Sequence, residues 1–190
     1  MADAPRTIPE GLARRIRLVV LDVDGVMTDG GIYLGATDSG GRVEMKRFEI
    51  QDGLGIRLLQ EAGITCAIVT GRESHAVRLR AEELGIVECH QDPSAAKLRI
   101  VQGLLERLGV SWEETAFLGD DLPDLAILRR VGLPAAVGNA TAEARASAVW
   151  QGERRGGHGA VREFAEALLG ARGEWAERVE SYVRDREAGL

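Results

Sequence analysis

Five continuous apolar runs, at 17–23, 64–70, 86–90, 115–119 and 134–138, limit how this 190-residue chain can fold. None alternates apolar with polar in the manner of a strand with one wet face, so each reads as a strand covered on both sides. Helical spacing fills the gaps between them. Leu54, Leu58 and Leu59 recur at helical intervals before Gly63, the segment 74–85 runs from a possible N-cap at Ser74 to Gly85, and 94–109 closes at Gly109. Such repetition implies right-handed crossovers and a parallel, Rossmann-like sheet with helices on both faces, a three-layer α/β/α sandwich. One segment breaks the rhythm: 31–48 holds two β-like pieces around the turn-rich "GATDSGG", which predicts a small β-hairpin inserted after the first strand. The length suits one domain, 1–190. In the tail, 174–188, Trp175, Val179, Tyr182 and Val183 share one face of a predicted C-terminal helix that packs either on its own subunit or on a neighbour.

The stretch "LVVLDVDGVMTDG" at 18–30 drives a buried strand straight into Asp22 and Asp24. In open α/β sheets ligands bind beyond the carboxyl ends of the strands, and the other polar clusters stand at such ends. Thr70-Gly71-Arg72 follows the second strand, Gly119-Asp120-Asp121 follows the fourth, and Lys97 opens the helix after the third. A parallel sheet gathers these distant pieces along one rim. Carboxylates crowded there raise each other's pKa unless a cation holds them. Oxygen donors without a His or Cys cluster suit Mg²⁺. Beside a lysine and a threonine hydroxyl, the arrangement is suited to a phosphoryl group. A carboxylate facing phosphorus can form an aspartyl-phosphate, and the spacing of two lets Asp22 and Asp24 point to one side as nucleophile and proton donor. Singly each motif is weak, since aspartates also cap helices and make turns; the ordered set carries the reading.

Composition narrows the partners. The net charge of −6 and pI near 5.2 argue against nucleic acid, which needs a basic stripe. Cys66 and Cys89 are too few for a disulfide framework, and Cys66 lies in an apolar run as a buried small hydrophobe. The N-terminal residues lack a signal-peptide core and no run approaches membrane-spanning length, so no membrane partner and a cytoplasmic location are expected.

The motifs "LDVDGV", "VTG", Lys97 and "GDDLPD" resemble those of the haloacid dehalogenase superfamily of aspartate-nucleophile phosphatases. "DVDGVMTDGGIY", "EMKRFEIQDGLGIRLLQEAGI", "VTGRES", "FLGDDLPDL" and "GGHGAVREF" together resemble the 3-deoxy-D-manno-octulosonate 8-phosphate phosphatase family over about 16–170. The resemblance implies a HAD-like fold without a large cap. It implies Asp22 as nucleophile, Asp24 as general acid and later base, and Thr70 and Lys97 as holders of the phosphoryl group. Mg²⁺ would be ligated by Asp22, the backbone carbonyl of Asp24, and Asp120, with Asp121 in or just behind that shell. Asp124 would orient its neighbours, or be a helix-surface acid. Arg72 and Arg80 match arginines near the family's pocket, although Arg80 could equally be an exposed helix charge. Lys46 with Phe48, and Asp52 with Gly53, match its "K-x-F…DG" pattern, although Asp52 could instead cap its own helix; Gly71 and His158 complete the expected substrate contacts. Two departures bear on the substrate: "CHQDPSAAK" replaces a Tyr-Gln-Gly segment, and His158 stands where relatives carry arginine.

The resemblance further implies a homotetramer, with the 31–48 hairpins forming a central barrel and a neighbouring subunit closing each site. The implied reaction is Mg²⁺-dependent hydrolysis of a phosphorylated eight-carbon keto-sugar acid. A related nine-carbon acid, or a non-catalytic assembly domain of a sugar-activating pathway, are the alternatives. A signalling receiver domain uses similar groups, but places its paired acids and phosphoacceptor on different strands from those here.

Overall fold

The computed structural model describes residues 7–94 and 96–189. In chain order its main elements are α1 (Glu10–Ala13), β1 (Leu18–Leu21), β2 (Tyr33–Ala36), β3 (Arg42–Met45), α2 (Ile50–Glu61), β4 (Thr65–Thr70), α3 (His75–Glu83) and β5 (Glu88–Gln91). There follow α4 (Lys97–Leu108), β6 (Thr115–Gly119), α5 (Leu125–Leu128), β7 (Leu133–Ala136), α6 (Ala142–Ala146), β8 (Trp150–Gln151), α7 (Ala160–Ala171) and α8 (Trp175–Glu187).

Six strands form one parallel sheet in the order β5-β4-β1-β6-β7-β8. β1 lies at its centre, and the direction of winding reverses there, so the ends of β1, β4 and β6 open a crevice. Alternation sends the two faces of β1 into two cores: Val19 and Leu21 join the layer that includes Ile56, Phe164 and Leu168, while Leu18 and Val20 join Val101, Leu104 and Ile127. The continuous apolar pattern of the strands follows from this double cover. The helices stop where expected, at glycines with positive φ: Gly63 (+77°), Gly85 (+65°) and Gly109 (+61°).

The first strand ends earlier than the apolar run suggests. Asp22 leaves β1, and the chain makes a wide turn closed by Thr28 N–H donating to the Val23 carbonyl at 3.0 Å. Gly25 sits in that turn at φ +89°, and a Cβ there would lie 2.1 Å from Asp120 Oδ2. Four further elements escaped the sequence reading, the short helices α1 and α6 together with β8 and α7. β8 is too short to show a period, and α7 follows a glycine-rich loop. Among the described residues no helix is long and apolar enough to cross a membrane.

The hairpin β2–β3 pairs Tyr33 with Met45 and Leu34 with Glu44. Helix α8 packs on its own chain. Trp175 and Tyr182 lie against the core, the Arg162 guanidinium sits 4.9 Å from the Trp175 ring centroid, and Arg178 donates to the Glu61 carbonyl at 3.1 Å. Val183 is left exposed.

Candidate active site

The rim at the carboxyl ends of β1, β4 and β6 holds a buried charge cluster. Lys97, the first residue of α4, donates to Asp22 Oδ1 at 2.7 Å and to Asp124 Oδ1 at 2.8 Å. Lys97 and Asp22 are each 5% exposed and Asp124 is fully buried. Asp22, Asp120 and Asp124 each offer a carboxylate oxygen within 4.8 Å of the others. The turn after β6 supports this set, since Asp124 Oδ2 accepts from Asp120 N–H at 3.0 Å. Asp124 is therefore no surface acid; its carboxylate ties the lysine to the turn that carries Asp120. Asp121 does something else, with its Oδ1 accepting from Leu122 N–H at 2.7 Å as a cap on the following helical turn.

Electrostatics follow from burial and crowding. Burial first and Asp124 second push the Asp22 carboxyl up to about 7, against the pull of Lys97. Burial, then Asp22, Asp124 and Asp121, push Asp120 up to about 8. Burial opposes the Lys97 charge, but the two aspartates outweigh it and hold the ammonium above its ordinary value. One lysine does not neutralise three carboxylates, so the cluster has the donor set and the uncompensated charge of a divalent-cation site. All-oxygen ligation matches a hard ion such as Mg²⁺.

Thr70 closes β4 fully buried, with its Oγ1 accepting from Arg72 N–H at 3.4 Å. A cleft of about 250 Å³ above the cluster is lined by Asp22, Asp24, Thr70, Gly71, Arg72 and Lys97, together with the turn from Asp120. Two cations flank Asp24: Lys46 donates to its Oδ1, and Arg72 Nε lies 3.7 Å from its Oδ2. Strand alternation explains how the hairpin reaches in. Arg42, Glu44 and Lys46 stand at every second position, and Glu44 Oε2 pairs with Arg72 at 3.5 Å. A larger cleft of about 750 Å³ continues past Gly71 and Arg72, between Arg42 and Glu44 on one side and Ser74, His75 and Pro93 on the other.

Three expected substrate contacts sit elsewhere. Asp52 is buried, and its Oδ1 accepts from Arg162 N–H at 2.8 Å, capping the start of α7 rather than its own helix. Burial first pushes that carboxyl up to about 6. Arg80 is neither an exposed charge nor a lining residue of either cleft. It pairs with Glu83 at 2.7 Å, donates to the Glu49 carbonyl at 3.2 Å and lies 5.8 Å from the Phe48 ring centroid. These contacts brace the chain just after Lys46. His158 is exposed, with its Nδ1 3.4 Å from Arg47, outside both clefts. In the departing segment, His90 turns away to Glu88 at 2.9 Å, whereas Gln91 Oε1 accepts from Ser74 N–H at 2.5 Å beside the larger cleft.

Sequence reasoning missed Asn139. Its Nδ2 donates to the Gly25 carbonyl at 3.0 Å and its Oδ1 accepts from Gly156 N–H at 2.6 Å. It follows β7 just as the other site segments follow their strands, so the same strand-exit rule points to it.

Residues 54–132 match the family model described as haloacid dehalogenase-like hydrolase. The chain is 42% identical over 165 residues to the 3-deoxy-D-manno-octulosonate 8-phosphate phosphatase KdsC of Salmonella typhi, covering 87% of this chain and 85% of that one. The Moraxella catarrhalis phosphatase of the same name, solved with magnesium ion, phosphate ion and KDO, superposes with a TM-score of 0.84 at 38% identity, covering 91% of this chain and 97% of that one. The cobalt-bound Haemophilus influenzae enzyme gives a TM-score of 0.79 at 34% identity, covering 86% and 93%. With the acids, the lysine and the threonine on one sheet rim, as aspartate-nucleophile chemistry requires, and with this likeness along nearly its whole length, the chain belongs to the 3-deoxy-D-manno-octulosonate 8-phosphate phosphatase family of haloacid dehalogenase-like hydrolases.

Proposed function

We propose that this chain is a Mg²⁺-dependent phosphomonoesterase that converts 3-deoxy-D-manno-octulosonate 8-phosphate to the free sugar acid and phosphate. The observation that carries the reading is the buried Asp22–Lys97–Asp124 bridge beside Asp120, at the floor of a cleft that Asp24 and Thr70 also line. Asp22, Asp120 and the Asp24 carbonyl would hold Mg²⁺, with Asp124 behind them and Asp121 at the edge of the turn. When bound, the ion neutralises the acids and draws charge from the phosphoryl oxygens.

The chain's own groups then divide the work. An Asp22 carboxylate oxygen attacks phosphorus, the bond from phosphorus to the C8 oxygen breaks, and Asp24 gives that oxygen its proton. The Lys97 ammonium and Thr70 hydroxyl hold the transferring group. Water next enters; Asp24, now a carboxylate, takes its proton while the oxygen attacks phosphorus and frees Asp22. The flanking Lys46 and Arg72 favour a dianionic phosphate at the mouth. The larger cleft, with Arg42 and Arg72 on its wall, has room for the rest of an acidic sugar.

Phosphate release across a panel of esters with Mg²⁺ present tests this. The expected result is a kcat/KM for the eight-carbon acid phosphate about 100-fold above that for p-nitrophenyl phosphate, lost on chelation. A clear preference for a nine-carbon acid, or turnover without a divalent ion, overturns it.

The reading includes a homotetramer built on the hairpins. Tyr33, Leu34 and Met45 are 53%, 62% and 59% exposed on a two-stranded ribbon, and Ile50 and Leu79 are exposed nearby. An isolated ribbon with apolar residues on both faces is the kind of surface that assembly covers. Leu34→Lys is expected to dissociate the assembly in sedimentation and to raise KM several-fold. An unchanged sedimentation coefficient removes the hairpin from the interface.

A further inference from the structure

We propose that Asn139 is a positioning residue for proton transfer, holding the turn that carries Asp24. One side-chain amide spans two segments, donating to the Gly25 carbonyl at 3.0 Å and accepting from Gly156 N–H at 2.6 Å. Gly25 directly follows Asp24 and adopts φ +89°. The two backbones are in close contact: a Cβ on Gly156 would lie 1.9 Å from the Gly25 oxygen, and Gly157 N–H donates to the Val26 carbonyl at 3.1 Å. Asn139 is itself anchored. Gly138 N–H donates to the Arg154 carbonyl at 2.8 Å, and Thr141 N–H donates to the Asp120 carbonyl at 2.8 Å. The short segment after β7 therefore links the Asp120 turn, the Asp24 turn and the glycine loop before α7.

The consequence is specific. Asp22 is held by Lys97 and the end of β1, so loss of Asn139 leaves the nucleophile in place. Asp24 lies in the turn, and a donor displaced by about 1 Å can lose up to ~10²-fold in rate. In the step that forms the aspartyl-phosphate, that loss falls on esters whose leaving oxygen needs a proton and largely spares an aryl ester whose leaving group departs as an anion. The later hydrolysis, with Asp24 as base, is common to both.

This inference rests on Asp24 as the proton donor, and the experiment separates the two. The single-turnover rate of leaving-group release reports formation of the aspartyl-phosphate, before Asp24 acts as base. It is measured with enzyme in excess and Mg²⁺ saturating for the sugar acid phosphate and for p-nitrophenyl phosphate, in Asn139→Ala and Asp24→Asn, with thermal midpoints. Asn139→Ala is expected to lower that rate roughly 30-fold on the sugar phosphate and less than threefold on the aryl ester. Asp24→Asn is expected to show the same contrast more strongly. Equal losses on both esters in Asn139→Ala, or none, overturn the proposal. The contrast in Asp24→Asn alone sinks only the role of Asn139, whereas its absence there removes the proton-donor reading and the proposal with it. If Asn139→Ala does not fold, Asn139→Ser keeps one hydrogen-bonding group and is expected to show a smaller contrast of the same sign; equal losses in it are equally decisive against.

Discussion

Asp22→Asn is expected to lower phosphate release by roughly 10⁴-fold or more on every ester, because an amide cannot replace the carboxylate in the nucleophilic role proposed for Asp22. The same variant should fold. Asp22 is a buried carboxylate among other carboxylates, and its replacement removes one of the charges that push Asp120 up to about 8. Lys97 keeps Asp124 at 2.8 Å. The metal-free thermal midpoint is therefore expected to hold or rise, while the increase caused by added Mg²⁺ shrinks. Calorimetry with and without the ion checks both. Retained turnover would mean that another group attacks phosphorus.

Lys97→Ala should be damaging in both respects. The ammonium touches two buried carboxylates, and removal leaves them facing Asp120 without a cation. Breaking one side of a buried charge network typically costs about 3–5 kcal/mol. For a chain of this size that is a fall of about 10 °C in thermal midpoint. On the role proposed for Lys97 in holding the phosphoryl group, loss of its charge should also cut kcat by about 10³-fold. The pH dependence has a defined sign. Asp22 and Asp120 have folded values of about 7 and about 8, above their ordinary 3.8. The folded protein thus binds more protons than the unfolded chain across that window, and metal-free stability falls as pH rises from about 4 through 8. Without Lys97 both carboxyls rise further, so the deficit of Lys97→Ala is expected to be larger at pH 8 than at pH 5.5. An equal deficit at both values would show that the ion pair is not its source.

The pieces of the candidate site were legible because each stands at a strand exit or, for Lys97, at the start of the helix after a strand, and a parallel sheet brings these positions together whatever lies between them. Asp22, Asp24, Thr70, Lys97 and Asp120 were all found in that way. Asp52, Arg80 and His158 were read as ligand contacts because they match a family pattern. In the structure one caps α7, one braces Phe48 and the Glu49 carbonyl, and one lies beside Arg47. No local pattern reports that Asp52 faces the start of a helix 110 residues later. Asn139 stands just past the exit of β7, where the same rule points, but its two partners come from distant parts of the chain and only the fold names them.

The linear order of residues determined the sandwich, the hairpin, the acid–lysine–threonine chemistry and the helix ends. Those depend on periodicity, on glycine's freedom at positive φ, and on residue types at strand ends, all short-range along the chain. Only the tertiary structure decided which acid joins the cluster and which merely caps a turn. It placed Asp124, rather than Asp121, against Lys97, and it brought Gly25 so close to Asp120 that no side chain fits between them. The reason is physical: a carboxylate's role depends on which cation, amide or fellow acid lies within about 3 Å, and that distance is set by packing between segments far apart in sequence.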